Sequence, residues 1–333
     1  MIALMHVGLG PLGQRVVRFA HERGLAYAAA ADPDPSKTGR DLGDLCSLDR
    51  LDVPVSASIG EALGRCGASR PAVALVTTVS SLRKLEPQVV ELARAGVPVV
   101  STCEELVFPW ITQPEAAARI DAAFRQNGVA CLGTGVNPGF LMDYLPTVIT
   151  GVCRTVHRIT VSRIQDASVR RVPFQMKIGA GLTVEEFRRK EAEGTLRHVG
   201  LAESLDMIAH RLRWRIERKT ESLAPVLAER DATGGWAPIR AGMARGVEQV
   251  ARGYRDGDEA IVLYFRAAVG EPESYDRIEV TGDPRLDLRF DGGVNGDTAT
   301  CAIVLNAIRS VLAAAPGLRT MCDVPPIAFS EIG

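Results

Sequence analysis

Through residues 1–135, short apolar runs alternate with stretches whose apolar residues return every third or fourth position. Ile2–Val7 is apolar but for His6, read as a core residue, and stops at Gly8, the pattern of a short strand buried on both faces. In Leu12–Arg23 the residues Leu12, Val16, Phe19 and Ala20 share one face, and Gly24 follows where a helix is expected to end. The same reading predicts strands over Leu25–Ala31, Val73–Thr78, Val97–Ser101 and Val129–Gly133, with helices over Leu82–Ala95 and Pro114–Gln126. Alternation of this kind builds a parallel sheet with right-handed crossovers.

Past Val156 the period changes to two. Arg158–Ser162, Ile261–Ala267 and Leu286–Phe290 alternate as half-buried strands, which predicts a mostly antiparallel sheet with helices on one face. Thr183-Val184-Glu185-Glu186 has the form of a capping box, and Val199–Trp214 reads as a second helix. A long helix is expected from Asp297 or Thr298 to about Ala314, packed back on the first domain.

Composition narrows the classes. Net charge is -1, from 39 basic and 40 acidic residues, and no basic tail is present, so neither nucleic acid nor an anionic membrane is an expected partner. The seven cysteines are odd in number, widely spaced and without a CxxC or a zinc spacing, which predicts reduced thiols and no metal. The apolar start is too short for a signal peptide, and no run is long enough to span a membrane; the expected location is cytoplasmic. There is no internal repeat and no low-complexity segment.

Between the first strand and helix lies Gly8-Leu9-Gly10-Pro11-Leu12-Gly13, and Asp32 closes the second strand. A GxGxxG in this setting, with an acidic residue at this remove, is the dinucleotide fingerprint of a Rossmann-type doubly wound domain. Gly8 allows the turn, Gly10 lets backbone approach a pyrophosphate, and Gly13 lets the helix pack close. Pro11 suits the first helical turn, and the free N–H groups beyond it face the phosphates. Asp32 is placed to accept ribose hydroxyls, which favours NAD; Lys37 and Arg40 are placed to meet a 2′-phosphate or to remain solvated, so NADP stays open. Thr77 and Thr78, in the hydroxyl-rich end of their strand, either line the nicotinamide ribose or belong to a segment that merely caps the next helix at Ser80–Ser81.

Ser101-Thr102-Cys103-Glu104-Glu105-Leu106 follows the next strand. A carboxylate there can hold an ammonium and move its proton, so Glu104 and Glu105 are the candidate catalytic residues, with Glu104 preferred; the alternative is acidic residues at a helix start. Thr102 and Cys103 are candidate cofactor contacts. So is Asn137, in Gly133-Thr134-Gly135-Val136-Asn137-Pro138-Gly139-Phe140, a loop that is also a possible hinge; Pro138 is expected to start a helix. Phe140, Met142, Tyr144, Phe174, Met176, His198 and Thr298 are candidate substrate-pocket residues, with core packing the competing reading for the apolar ones and packing or surface exposure for His198.

The segments GLGPLG, DPDPSKTGRDLG, STCEELVFPW, GTGVNPGFLMD, KIGAGLT, GLAES, GDTATCAIVLNAI and PGLRTMCDVP resemble the 2,4-diaminopentanoate dehydrogenases and the related native amine dehydrogenases, within the broad dihydrodipicolinate reductase-like superfamily. The likeness runs along most of the chain. It implies a Rossmann domain (residues 1–135), an α+β substrate and dimerisation domain (136–296) and a C-terminal helix and tail (297–333). It implies NAD- or NADP-dependent, reversible oxidative deamination of a small amine, with ketone plus ammonia as the reverse substrates, and often a homodimer. It also implies that a glutamate of STCEEL binds the amine. The basic, histidine-rich signature of dihydrodipicolinate reductases themselves is missing. The alternatives are another reductase on this scaffold, acting on a cyclic imine or an amino acid, and a non-catalytic NAD(P)-binding regulator. An amino acid substrate would need an arginine, for which Arg163, Arg170 and Arg171 are candidates.

Overall fold

The computed structural model describes residues 2–67, 70–170, 172–196, 198–232 and 236–331. The chain forms two compact units, one of residues 1–140 with 295–333, the other of residues 141–294. No helix among the described residues is long and apolar enough to cross a membrane.

In the first unit, β1 (Ala3–Val7), α1 (Pro11–Glu22), β2 (Ala26–Ala31), α2 (Leu42–Leu45), β3 (Val55–Ser56), α3 (Ile59–Arg65), β4 (Val73–Val76), α4 (Leu82–Arg94), β5 (Val99–Ser101), α5 (Pro109–Thr112), α6 (Pro114–Gln126) and β6 (Ala130–Gly133) follow one another. The strands pair in parallel in the order β6-β5-β4-β1-β2-β3, so β1 is central, as an apolar run without alternation requires. Leu82, Leu85, Val89 and Leu92 of α4 and Ile120 and Phe124 of α6 pack with Met5, Ala74 and Val99 of the sheet. The Pro11 ring occupies the first turn of α1, as the sequence suggested.

The second unit holds α7 (Tyr144–Ile149), β7 (Thr155–Asp166), α8 (Val172–Lys177), α9 (Val184–Ala192), α10 (Leu201–Arg211), β8 (Arg218–Leu227), β9 (Ala244–Arg255), β10 (Asp258–Ala268), β11 (Tyr275–Asp283) and β12 (Leu286–Asp291). Its sheet runs β12-β11-β7-β10-β9-β8; β7 and β10 are parallel and every other neighbour is antiparallel. Ile159, Val161, Ile261, Leu263, Phe265 and Ile278 line one face and pack with Leu201, Leu205 and Ile208 of α10. The capping box at Thr183 and Glu186 is formed in full. The helix expected from Val199 begins after Gly200, whose positive φ of 107° ends the incoming turn. α11 (Gly296–Leu312) and β13 (Gly317–Arg319) return to the first unit, where α11 lies beside α1 and β13 extends the parallel sheet next to β6.

Candidate active site

The loop between β1 and α1 shows why its glycines are needed. A Cβ on Gly13 would come within 2.0 Å of the Gly8 carbonyl oxygen and 2.7 Å of Thr77 Oγ1. Gly8 stands at φ +92°, and a side chain there would strike Thr78 Cγ2 at 2.7 Å. Gly10 is the reverse case, since a Cβ would meet nothing within 4 Å. Gly10 is also the N-cap of α1, and no side chain caps that helix end among the described residues. Open space over backbone, at a helix N-terminus with donors to spare, is what a pyrophosphate requires. The loop therefore fits a dinucleotide, with Pro11 exposed and Leu12 half-buried on the first turn.

Asp32 is nearly buried at the end of β2, and both its oxygens are held. Oδ2 accepts from the Leu9 N–H at 2.6 Å and from Lys37 Nζ at 3.1 Å, while Oδ1 accepts from the Asp34 N–H at 3.0 Å. Lys37 also pairs with Asp34 at 3.3 Å, so its charge is shared between two carboxylates. Arg40 is exposed, and its main chain bonds to Lys37 and Val55.

Thr77 and Thr78 turn inward. Thr77 Oγ1 donates to the Gly8 carbonyl at 2.7 Å and Thr78 Oγ1 donates to Gln88 Oε1 at 2.9 Å. Their hydroxyl protons are used within the protein. The capping alternative fails as well, because Ser81 makes no side-chain cap on α4. Glu105 does that work instead: its Oε2 accepts from the Leu82 N–H at 2.8 Å and from Gln113 Nε2 at 2.8 Å. The sequence reading placed an acidic residue at the start of its own helix; here it caps a helix that begins 23 positions earlier.

Glu104–Leu106 is a single 3₁₀ turn after β5. Glu104 is partly exposed. Thr102 is fixed through its N–H to the Val76 carbonyl at 3.1 Å. The Cys103 side chain is fully buried, and its Sγ donates to the Ser80 carbonyl at 3.1 Å. Burial, reinforced by the charge of Glu104, pushes this thiol well above its ordinary range, so any cofactor contact from Cys103 falls to its backbone.

The Thr134 N–H donates to the Ser101 carbonyl at 2.9 Å, and a Cβ on Gly133 would stand 2.7 Å from the Leu106 carbonyl carbon. The segment carrying Glu104 and the loop carrying Asn137 are thus side by side. Thr134 Oγ1 donates to Met321 Sδ at 3.0 Å and the Val136 N–H to Thr300 Oγ1 at 3.3 Å, tying that loop to α11 and the tail. Asn137 is partly exposed, in a run of turns; the Asn137–Pro138 bond is cis, and the helix expected at Pro138 starts only at Tyr144, with Asp143 as its cap. Phe140 is half-buried at the end of this loop. Thr298 is exposed on the first turn of α11, where its N–H donates to Asn295 Oδ1 at 3.0 Å.

In the second unit Met142 is fully buried in the core, which is where its apolar side chain is most stable, and it is not available to line a pocket. Tyr144 is half-buried, Met176 is half-exposed on α8, and Phe174 lies 4.1 Å below the Arg170 guanidinium. His198 packs at a tilt against Phe265, with ring centroids 4.3 Å apart, and Gln249 grips its backbone from both sides, at 2.7 and 3.1 Å. Burial, with the charges of Lys177, Arg163 and Arg170, pushes the imidazole down to about 3, so it is neutral at physiological pH. Arg163 is committed to a buried ion pair with Asp276 at 2.8 Å and to the Val294 carbonyl at 2.9 Å. Arg171 lies outside the described residues. The described residues contain no group of three or more His, Cys, Asp or Glu side chains that could hold a metal.

His6 is fully buried, as the sequence reading expects of a core residue, and beyond that reading it touches Thr77 at 3.1 Å. A histidine inside a run of Leu, Met and Val, one residue before the glycine motif, was the available signal. Gln249, buried in β9, had no such signal, because its partner His198 is 51 positions away.

Residues 140–331 match the family described as the 2,4-diaminopentanoate dehydrogenase C-terminal domain. A 2,4-diaminopentanoate dehydrogenase of Acetoanaerobium sticklandii is 34% identical over 260 residues, covering 76% of this chain and 73% of its own. An amine dehydrogenase of Streptomyces virginiae is 24% identical, with 98% and 96% covered. The solved structure of an amine dehydrogenase from Mycobacterium smegmatis superposes with a TM-score of 0.87 at 24% identity, over 99% of this chain and 98% of that one. The family match over more than half the chain, together with the 34% relative, establishes that this chain belongs to the 2,4-diaminopentanoate dehydrogenase family of oxidoreductases.

Proposed function

We propose that the protein is an NAD(P)-dependent amine dehydrogenase that interconverts a small primary amine with a ketone or aldehyde plus ammonia, with Glu104 as the residue that receives the amine nitrogen. The observation carrying this reading is the placement of Glu104, partly exposed on the turn after β5 and beside the loop that carries Asn137. Its neighbour Glu105 faces the start of α4, where it accepts from the Leu82 N–H. The named relatives, a 2,4-diaminopentanoate dehydrogenase and an amine dehydrogenase, support the same chemistry.

In this reading the Gly8–Gly13 loop and the N-terminus of α1 bind the pyrophosphate, and Asp32 accepts from the adenosine ribose. The bound nicotinamide supplies the acceptor or donor of hydride. Glu104 attracts the ammonium form of the substrate, takes its proton so that the nitrogen lone pair can drive hydride loss from carbon, and returns a proton in the amination direction. Water then releases ammonia from the iminium carbon. Thr102 and Asn137 hold the neighbouring backbone and carboxamide.

Lys37 is paired with both Asp32 and Asp34, which favours NAD over the more negative NADP. Arg163 is neutralised by Asp276, which weighs against it as the anchor of an amino acid carboxylate. We further infer a homodimer and a cytoplasmic location. The test is direct: NAD or NADP is supplied with a panel of short amines, diamines and amino acids, and reduced cofactor is followed by absorbance. Amine-dependent reduction is expected. A protein that binds cofactor and turns over nothing in the panel is the regulator and not the enzyme.

A further inference from the structure

We propose that His6 and Thr77 are positioning residues for the adenosine-ribose end of the dinucleotide, acting on Asp32 through the Gly8–Leu9 peptide; this rests on the dinucleotide reading above. Three hydrogen bonds and one peptide plane run in series. His6 Nε2 meets Thr77 Oγ1 at 3.1 Å, Thr77 Oγ1 meets the Gly8 carbonyl at 2.7 Å, and the Leu9 N–H meets Asp32 Oδ2 at 2.6 Å.

The donors can be assigned from the chain itself. A carbonyl oxygen only accepts, so Thr77 donates to Gly8. The hydroxyl oxygen is then left to accept, and His6 must carry its proton on Nε2. Nδ1 is then the bare nitrogen, and it has no hydrogen-bond partner among the described residues. Burial pushes the imidazole down to about 4, which keeps it neutral and the relay in this one orientation at physiological pH.

The peptide plane passes the constraint on. In a trans peptide the C=O and N–H point in opposite directions, so anchoring the Gly8 oxygen below aims the Leu9 N–H away from it, at Asp32. The plane has little freedom to turn, because Gly13 packs directly over the Gly8 oxygen and over His6 Nε2, where a Cβ would stand 2.0 and 2.9 Å away. Bonds in such a chain polarise one another. An apolar residue would fill the His6 position, among Leu4, Met5 and Val7, without leaving a buried nitrogen unbonded. The relay supplies the reason for a histidine.

The experiment measures binding of adenosine diphosphoribose and of its adenosine 2′-deoxy analogue by calorimetry, which requires no turnover. The wild type is expected to favour the ribose form about tenfold, the worth of one charge-assisted hydrogen bond. Thr77→Val, nearly isosteric, is expected to reduce that ratio to about twofold or less, and His6→Leu to do the same, while Thr77→Ser and His6→Gln, which keep a donor, retain most of it. A residue serving stability alone would weaken both probes equally and leave the ratio intact. A wild-type ratio in Thr77→Val, whatever its melting temperature, overturns the relay. Failure of the wild type to bind either probe overturns the dinucleotide reading itself, and the relay with it.

Discussion

The Glu105 carboxylate accepts the Leu82 backbone N–H at 2.8 Å, and through it the turn that carries Glu104 is fastened to the start of α4. Two neighbouring carboxylates are thus divided between holding the turn and, in our reading, holding the substrate. Glu105→Ala removes a helix cap and the partner of Gln113, and is expected to lower unfolding free energy by about 1–2 kcal/mol. Chemical denaturation reads this out. Glu105→Gln keeps an oxygen to accept from Leu82 and is expected to retain more of the stability than Ala does.

Buried His6 makes stability depend on pH in a stated direction. Its ordinary value of 6.5 falls to about 4 in the fold. The unfolded chain therefore takes up a proton near pH 6.5 that the folded chain refuses until about pH 4. The His6 contribution is fully present above pH 6.5, falls as pH drops through that window, and levels off below it. The loss is on the order of 3 kcal/mol. His198 adds a similar slope that extends to about pH 3. Urea unfolding at pH 7 and pH 5 is expected to differ less in His6→Gln than in the wild type.

Arg163 and Asp276 form a buried pair on the inner face of the second sheet. Burial pushes the aspartate up and the arginine down, more than their mutual attraction offsets. Asp276→Ala strands a charge and is expected to cost about 3–5 kcal/mol. Adding Arg163→Met to it is expected to recover most of that loss in the same denaturation assay. Recovery would identify the pair as structural.

At the ribose end, NAD is expected to bind at least about tenfold tighter than NADP. Asp32→Ala is expected to narrow the gap, by weakening NAD and freeing Lys37 for a 2′-phosphate. Calorimetry with both dinucleotides checks it.

Much of the first unit was legible in the sequence because β1, β2, β4, β5 and β6 are buried parallel strands, and their apolar runs end at glycine, aspartate or small polar residues. The two-residue β3 and the three-residue β13 are too short to carry a pattern. In the second unit β9 was missed, because Arg245, Glu248 and Arg252 interrupt its apolar positions. Even so, Asp256-Gly257, both at positive φ, marks the tight turn between β9 and β10 and was a readable hairpin signal. The glycine loop and Asp32 were visible because their chemistry is local. The roles of Glu105, Thr77 and Thr78 were not, because their partners lie 23, 69 and 10 positions away and only the fold brings them together.

The central claim is that Glu104 handles the amine while the glycine loop binds the cofactor independently of it. The most direct test is Glu104→Gln, measured for NAD binding by calorimetry and for amine-dependent cofactor reduction at saturating substrates. NAD affinity close to that of the wild type, with turnover reduced by about a hundredfold or more, is the predicted result. Wild-type turnover in Glu104→Gln would contradict the assignment.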